Sequence, residues 1–490
     1  MLKRVRIALT ALLLLAAVGV NAQVTTASMA GKVTDASNEP IIGATVQAVH
    51  QPSGSRYGTV TNVDGRYSIQ GMRTGGPYRV EISYIGYQTV IYKDITLQLG
   101  EVYNLNVEMS ESSELLNEVI VTAAKTKFTA EKTGATTNIS SAQITQLPTV
   151  NRSISDIARL SPYANGMSFA GGDGRSTNFT IDGANFNNNF GLSSNLPGGG
   201  NPISMDAIEE VQVVVAPFDV RQTNFIGGGI NAITKSGTNT FRGTAYTYYR
   251  NQDMRGNRIN GEDLGARSDE SKTTYGFTLG GPIIKNKLFF FVNYEKEKTP
   301  GEVIKYRARE DGEEAKGMVS RTLKSDMEKV YNHLKDKYGY DAGSYTSFPA
   351  DEENTKILAR IDWNITDRHR LSLRYNNTKN TAWNAPNGNS SDTGYRLNNT
   401  YRVGTQSMAF ANSMYSMDNK VQSWATDLNS RFTDKISNQL LFTYTNIEDM
   451  RGTNSSPFPF IDIMAGKDEN GNQILEPYMS AGYELFTYNN

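Results

Sequence analysis

From Phe241 onward the sequence alternates apolar and polar side chains in segments of about ten residues. In one segment Leu371, Leu373 and Tyr375 occupy one face of an extended chain, and the polar residues between them occupy the other. Residues 440–444 repeat the pattern. An unpaired backbone group in lipid costs several kcal/mol, so strands that meet lipid must close on themselves. The alternation therefore predicts strands of a transmembrane antiparallel β-barrel, apolar towards lipid and polar towards the lumen.

The connections between these segments differ in length. Short turns are predicted at 282–286, 366–369 and 433–435, and long polar loops at 251–271, 300–354 and 380–419. In outer-membrane barrels the short turns face the periplasm and the long loops face the exterior. The second long loop also contains apolar residues at helical spacing, which predicts a short helix: Leu323, Met327, Val330, Leu334 and Tyr338.

Charge and residue usage exclude several classes of function. The chain carries 49 Lys and Arg against 50 Asp and Glu, so it lacks the basic surplus of a nucleic-acid-binding protein. Without cysteine it can form neither a disulfide nor a thiolate metal site. The three histidines, His50, His333 and His369, are scattered along the sequence. We therefore expect no nucleic-acid partner, no metal and no cofactor.

The N-terminus is typical of a secretory signal peptide. Lys3, Arg4 and Arg6 precede an apolar run over residues 7–20, which ends in small residues at Ala22. The run is too short to span a hydrocarbon core of about 30 Å. The next residue, Gln23, is not a cysteine, so a lipoprotein anchor is excluded. We expect residues 1–22 to be removed and the remaining chain to be exported.

Residues 23–110 alternate with period two and contain many turn residues. Asp64-Gly65 lies between two strand-like runs and predicts a hairpin. Several short strands without cysteine predict a small antiparallel β-sandwich. G-K-V-T-D from Gly31, P-I-I-G-A-T-V from Pro40 and V-D-G-R-Y from Val63 resemble the carboxypeptidase regulatory-like domain. The segment contains neither a metal-ligand pair nor a nucleophile–base pair, so we expect a binding or spacer module rather than a peptidase.

Residues 111–137 are polar except for one β-branched stretch: Glu118, Val119, Ile120, Val121, Thr122 and Ala123. Proteins normally cover a strand edge, so an exposed one indicates pairing with a strand of another chain. The stretch resembles the TonB box of TonB-dependent outer-membrane receptors. This resemblance implies that a TonB-type periplasmic energy-coupling protein is a partner. The alternative is that the stretch is the last strand of the preceding sandwich.

Residues 138–237 combine predicted short helices and strands, with an amphipathic helix at 153–160 before Pro162. Three motifs then follow in order: N-F-T-I-D-G from Asn178, I-E-E-V-Q-V from Ile208 and G-G-G-I-N-A-I-T-K-S-G from Gly227. Their order resembles the plug domain of TonB-dependent receptors, in particular of the Oar-like branch. The glycine-rich stretches lack the pattern of a phosphate-binding loop, so we expect turns and close backbone approaches there.

The residues after N-F-T-I-D-G are the candidate substrate contacts at the apex of the plug: Asn185, Phe186, Asn187, Asn188, Asn189 and Phe190. Their amide groups can hydrogen-bond a ligand. Asparagine-rich loops also form turns by bonding their own backbone. The sequence leaves both interpretations open.

The predicted fold class is mainly β: a small β-sandwich, an α+β plug over 138–237 and the first strands of a transmembrane antiparallel barrel over 238–490. We count about seven barrel strands, although bacterial single-chain barrels have even numbers. A plug of about 100 residues has a radius of gyration near 13 Å. An eight-stranded barrel holds only side chains, whereas plugged transporters use 22 strands. The sequence therefore predicts an N-terminal fragment with a truncated barrel.

The resemblance implies active import of an unidentified extracellular substrate across the outer membrane. The sandwich would lie in the periplasm and the barrel in outer-membrane lipid, with a surface lipoprotein as a further partner. Import needs no covalent chemistry, so we expect no catalytic residues and no enzyme. One alternative is an adhesion or signalling protein that uses the plugged-barrel scaffold without transport. A secreted peptidase is suggested only by the name of the sandwich family.

Overall fold

The computed structural model describes residues 24–111, 119–122, 135–149, 151–187, 196–217, 219, 222, 224–254, 256, 258–263, 271–300, 306–348, 350–386, 402–467, 470–471 and 476–484. These residues are mainly β-strand, which confirms the predicted fold class. Strands form an N-terminal sandwich, a plug and a seven-stranded sheet that we call the wall. Among these residues, no helix combines the length and the apolar character needed to cross a membrane.

The sandwich packs two sheets around one apolar core. One sheet has the order β4-β1-β7, with β8 also paired to β1, and the other has the order β3-β2-β5-β6-β9. Fully buried Met29, Val46, Tyr78 and Ile82 lie between the sheets. The strands are β1 Ala27–Asp35, β2 Thr45–His50, β3 Ser55–Val60, β4 Arg66–Met72, β5 Gly75–Ser83, β6 Val90–Leu97, β7 Val102–Asn104, β8 Val107–Met109 and β9 Val119–Thr122.

Two details of the sandwich differ from the sequence-based prediction. The sheets are mixed, because β1 pairs in parallel with β7 and β8, and β6 pairs in parallel with β9. The predicted hairpin at Asp64-Gly65 is wrong, since β3 pairs with β2 whereas β4 pairs with β1 in the other sheet. Asn62 accepts hydrogen bonds from the Asp64 and Arg66 amides, so it closes a turn that passes between the sheets.

The plug is built on a mixed sheet with the order β10-β15-β16-β13-β14. The predicted helix over 153–160 is present as a shorter helix capped by Ser153, whose hydroxyl accepts the Asp156 amide. Gly228 lies against Phe169, where an added Cβ would be 2.6 Å from the ring. The plug elements are β10 Ala135–Ser140, α1 Ser141–Gln146, α2 Ile154–Ala158, β11 Ala164–Asn165, β12 Ser168–Phe169, β13 Asn178–Ile181, β14 Ala184–Asn185, β15 Ile208–Val215 and β16 Gly229–Thr234, with 3₁₀ turns at Gly174–Ser176 and Met205–Ala207.

The wall is an antiparallel sheet in which each strand pairs with the next in sequence, apart from short strands in its loops. In the described part of the chain its first and last strands are not paired with each other. Its strands are β17 Arg242–Asn251, β20 Ser271–Ile284, β21 Leu288–Thr299, β24 Glu352–Thr366, β25 His369–Asn384, β27 Tyr415–Arg431 and β28 Ser437–Gly452. The loop elements are β18 Arg258–Ile259, β19 Glu262–Asp263, β22 Arg307–Arg309, β23 Val319–Leu323, α3 Lys324–Tyr338, β26 Met408–Ala409, β29 Ile461–Met464 and β30 Pro477–Ala481, with 3₁₀ turns at Gln252–Met254 and Ala411–Ser413.

The outward face of the wall is apolar, as the alternation predicted. Trp424 is 55% exposed and Phe442 is 64% exposed. An exposed face of this composition fits lipid rather than water. The other outward-facing residues are Tyr275, Phe277, Leu279, Ile357, Ile361, Trp363, Leu373, Leu440 and Tyr444.

The inward face of the wall packs against the plug. Phe291, Leu358 and Val421 are buried in the same core as the plug residues. The loop predicted at 380–419 is shorter than expected at both ends. Strand β25 continues to Asn384, which pairs with Tyr415 at the start of β27. The polar sequence there does not indicate exposure: Asn380 is 2% exposed although it resembles a loop residue.

The long loops fold together into a layer that we call the cap. Helix α3 confirms the helix predicted from the spacing of apolar residues, and it buries Met327 and Leu334. These residues share a core with Phe410 and Met479 from two other loops. The cap lies opposite the sandwich, because the sandwich contacts the short-turn end of the wall, where Ser55 bonds Asn364 at 3.2 Å.

The lipid-facing row yields a testable prediction. Replacement of Phe442 by Arg puts a charge on the outward face, which costs about 2–4 kcal/mol near the bilayer midplane. The inward-facing neighbour offers a matched control, Thr443→Arg, which should cost less. The measurement is folding efficiency into lipid vesicles, followed by heat-modifiable gel mobility. Equal losses for both variants would contradict the assigned orientation of the strand.

Candidate functional site: contacts of the plug

A two-residue turn places one acidic side chain of the plug against the wall. Asp182 and Gly183 connect β13 to β14, and both have positive φ, as a tight hairpin turn requires. The Asp182 carboxylate accepts hydrogen bonds from the Thr234 amide at 3.0 Å and its hydroxyl at 2.7 Å. The side chain of Asp182 is buried, so its charge requires a cationic partner.

Two arginines of the wall supply that charge. Asp182 Oδ1 lies 3.8 Å from Arg360 and 3.5 Å from Arg374. Arg360 also binds Asp362 through two hydrogen bonds of 2.8 and 2.9 Å, and it donates to the Thr234 carbonyl at 2.6 Å. The plug and the wall are therefore joined by a buried ion cluster rather than by apolar packing alone.

A second polar contact joins the plug to the wall nearer the cap. Ser204, which caps the Met205–Ala207 turn, donates to Glu295 at 2.9 Å. Glu295 also accepts from Lys356 at 2.8 Å and from the Tyr246 hydroxyl at 2.8 Å. Lys356 is 1% exposed, so these bonds provide its charge compensation inside the protein.

Three plug side chains converge on one residue of the sandwich, Leu99, an arrangement that we call the clasp. Its amide donates to Glu210 Oε1 at 3.0 Å, and its carbonyl accepts from Gln212 at 2.6 Å and Asn138 at 3.1 Å. The Leu99 side chain is fully buried in a small apolar cluster with Val24. The clasp fixes the turn after β6 to the plug sheet.

The predicted TonB box falls partly within the described residues. Val119–Thr122 form strand β9, whereas Glu118 and Ala123 lie outside the described part. Strand β9 pairs in parallel with β6, in the register Val90 to Val119 through Lys93 to Thr122. Val119–Thr122 therefore form an edge strand of the sandwich, as the alternative interpretation has it, and the assignment of a TonB box stays a prediction.

The predicted apex contacts are only partly suited to ligand binding. Phe186 is completely buried against Phe179, so the prediction of substrate contact is wrong for this side chain. Asn185 accepts from the Asn187 amide at 2.7 Å, and Asn187 accepts from the Phe179 amide at 2.6 Å. These asparagines close the loop after β13. Asn188, Asn189 and Phe190 lie outside the described residues.

Sequence reasoning missed the residues that hold the plug in place. Asp182 lies inside the N-F-T-I-D-G motif, and charged residues at the inward positions of β24 and β25 were a usable signal for Arg360 and Arg374. No sequence signal marks Leu99, because a leucine followed by glycine is common. Within the described residues, no group of His, Asp and Glu is arranged to hold a metal ion.

Comparisons with known proteins agree with the resemblance inferred from the motifs. Residues 28–110 match the carboxypeptidase regulatory-like domain, and residues 233–304 match the outer membrane beta barrel domain. The chain is 25% identical over 376 residues to the TonB-dependent transporter Oar of Myxococcus xanthus, covering 71% of this chain. It spans 33% of the length of that relative. The relative is a transporter rather than an enzyme.

Two solved structures are also similar in part. The siderophore receptor PirA of Pseudomonas aeruginosa has a TM-score of 0.40 at 15% identity, covering 66% of this chain and 42% of the receptor. The outer membrane transporter YddB of Escherichia coli has a TM-score of 0.45 at 16% identity, covering 65% of this chain and 40% of the transporter. The domain matches and the similarity to Oar confirm an outer-membrane location and a resemblance to TonB-dependent receptors.

The ion cluster predicts the effect of one plug variant. Asp182→Asn should destabilise the plug by about 1–3 kcal/mol, because Arg360 and Arg374 lose one buried carboxylate partner while Asp362 and Asp427 remain. The measurement is thermal or denaturant unfolding of the purified chain in detergent. The control is Asp173→Asn, which removes an exposed ion pair with Arg175 and should leave stability unchanged. Equal stability of both variants would contradict the role of the cluster.

The clasp predicts a pH dependence. Burial raises the pKa of Glu210 from 4.5 to about 7, although hydrogen bonds from Asn138 and Leu99 favour the carboxylate. Docking of the sandwich therefore takes up a proton. The stabilisation is complete below about pH 4.5 and is lost as the pH rises through about 7. Glu210→Gln keeps an acceptor without a charge, so docking of this variant should not change with pH.

Docking of the sandwich can be measured with site-specific spin labels, because the chain has no cysteine of its own that would also be labelled. Spin labels on Asp64→Cys in the sandwich and Lys435→Cys at a short turn of the wall report the docking distance, since both sites are exposed. We expect a longer distance component to increase between pH 5 and pH 8 in the labelled parent, and no such change with Glu210→Gln. The same pH response in both proteins would show that Glu210 does not control docking.

Proposed function

We propose that this chain acts in TonB-dependent transport across the outer membrane, with residues 118–123 as the TonB box. The similarity to the Oar transporter carries the proposal, together with the order of a short strand, a plug and a barrel wall along one chain. The substrate enters from the side of the cap. The sandwich lies in the periplasm, where TonB reaches it.

The strand geometry of β9 supports the choice of these residues. β9 is an edge strand, so one row of its backbone N–H and C=O groups has no partner strand in the described part of the chain. A partner that recognises an extended peptide adds its own strand to such an edge. Because the strand is already ordered on β6, part of the conformational entropy cost of pairing is met before TonB binds.

The plug contacts support a transport role for the interior. The arginines of the wall contact Asp182 of the plug at 3.5 and 3.8 Å, and water can replace such long ion contacts when force moves the plug. Purely apolar packing would resist such hydration more strongly. A polar plug–wall interface is therefore suited to reversible opening.

The decisive experiment changes one backbone donor. Val121→Pro removes the N–H of a central residue of the strand, and Val121→Ile keeps both the N–H and the β-branch. We expect the full chain in detergent to bind the periplasmic domain of TonB at least about tenfold more weakly with Val121→Pro, and unchanged with Val121→Ile.

Uptake provides the second measurement. Deletion of residues 118–123 should abolish energy-dependent uptake while leaving membrane insertion intact. Heat-modifiable mobility on a gel checks the insertion. Unchanged TonB binding by Val121→Pro, or unchanged uptake after the deletion, would refute the assignment of the box.

A second candidate function is surface adhesion or signalling on the same scaffold. The cap favours it, because three loops fold around their own apolar core, with Tyr340 stacked on Phe458 at 4.0 Å. A surface lipoprotein is a suitable partner for such a rigid layer. Surface binding that persists in cells without TonB would favour this second function over transport.

A further inference from the structure

A cavity of about 400 Å³ lies where the sandwich, the plug and the wall meet. This volume is within the usual range for small-molecule sites, and domain interfaces are a common place for them. Arg73 of the sandwich, Lys235 beyond β16 and Arg370 of the wall all border the cavity. Arg370 follows the short turn between β24 and β25, so the cavity is at the periplasmic end of the proposed transport path.

The lining of the cavity has a surplus of positive charge. Three acidic side chains, Glu209, Asp362 and Asp427, face six cationic ones: Arg73, Lys235, Arg242, Arg360, Arg370 and Arg374. The pKa of His50 is lowered to about 3 by burial and by Arg73, so its ring is neutral near pH 7 and adds no charge.

The acidic groups of the wall are already engaged. Asp362 accepts from Arg360 and from Ser372, the latter at 2.6 Å. Asp427 accepts from Thr25 at 2.7 Å and from Asn429 at 2.8 Å. Asp362 also lies 3.7 Å from Arg73, and Asp427 lies 3.9 Å from Arg374, so both carboxylates already share their charge with cations of the lining.

Several of the cations, in contrast, have free donors. In the described part of the chain Lys235, Arg242 and Arg370 form no ion pair, although Arg370 lies over the Tyr57 ring at 3.7 Å. All three line the same cavity, where burial raises the pKa of Glu209 and the charges of Lys235 and Arg242 oppose that rise. An anion placed there would gain from several cations at once.

Arg374 supplies an independent observation. It is 7% exposed, and its Nε is buried without a hydrogen-bond partner. Its ion contacts are long, 3.5 Å to Asp182 and 3.9 Å to Asp427. A buried donor without a partner is costly, and a guanidinium fork matches the oxygens of a carboxylate or phosphate. Arg374 therefore has one guanidinium donor, Nε, that no hydrogen bond uses, and an anion in the cavity would supply its acceptor.

We propose that this cavity binds an anionic group, a carboxylate or a phosphate, carried by the substrate as it leaves the plug. The inference rests on the proposed transport function and adds a substrate class to it. Arg374 and Lys235 hold the anion from opposite sides, the wall and the plug. Undocking of the sandwich, which contributes Arg73, then opens the cavity to the periplasm.

The test is equilibrium binding to the full chain in detergent at low salt, where screening is weak. One probe is inorganic phosphate. The second is triglycine with a free C-terminus, compared with the same peptide amidated. We expect saturable binding of phosphate, of the free-acid peptide or of both, and no binding of the amidated peptide. Phosphate and peptide then distinguish the two sources of the anion.

Substitutions of cavity residues test whether the anionic probes bind in this cavity. Lys235→Gln and Arg374→Gln should each weaken binding by about tenfold, since each removes a charge-assisted hydrogen bond. Lys235→Gln is informative even if Arg374→Gln fails to fold, because the Lys235 side chain forms no ion pair with the residues that the structure describes. The control Lys287→Gln changes an exposed charge at the same end of the wall, outside the cavity, and should bind as the parent does.

The result that overturns the proposal is clear. Absence of saturable binding by either anionic probe, or equal affinity in the parent and in Lys235→Gln, would refute it. TonB takes no part in this measurement. Failure of anion binding would therefore leave the TonB-box assignment intact, and failure of the Val121→Pro experiment would leave the anion site intact.

Discussion

The arrangement of this protein depends on charged side chains that the wall buries on its inward face. Lys356, Arg360, Asp362, Arg374 and Asp427 are each at most 9% exposed. Buried charges must be paired or hydrogen-bonded, and within the wall Lys356 pairs with Glu295, Arg360 with Asp362 and Arg374 with Asp427. Asp182 and Ser204 of the plug and Thr25 just before β1 add further partners to these groups. The charge pattern of the wall thus selects what packs against it.

The same requirement explains why the sandwich is more than a spacer. Three side chains of the plug form hydrogen bonds to its turn at Leu99. Strand β6, which directly precedes this turn, pairs with β9. The plug sheet and strand β9 therefore contact the two ends of one short structural element, from Val90 to Leu99. A displacement of the plug would act on this element directly.

The sequence predicted much of the fold because its signals are local. Alternation of side chains along a strand determines which face is apolar, and the outward Trp424 and Phe442 follow that rule. Helical spacing predicted α3, and the amphipathic run before Pro162 predicted α2. The errors occurred where polarity was taken as a sign of exposure. Asn380 resembles a loop residue, but it lies in a strand and faces the plug. Phe186 was predicted to contact the substrate, yet it fills the plug core.

By itself the sequence determined the class of the protein: strands with one lipid-facing side, a plug motif order, and a β-branched stretch before the plug. These properties depend on neighbours within a few residues, so they can be read along the chain. Only the tertiary structure decided which charges meet, because Asp182, Arg360 and Arg374 are far apart in sequence. It also decided that β9 pairs with β6, since strand pairing depends on which backbone edge is free once the sheets have formed.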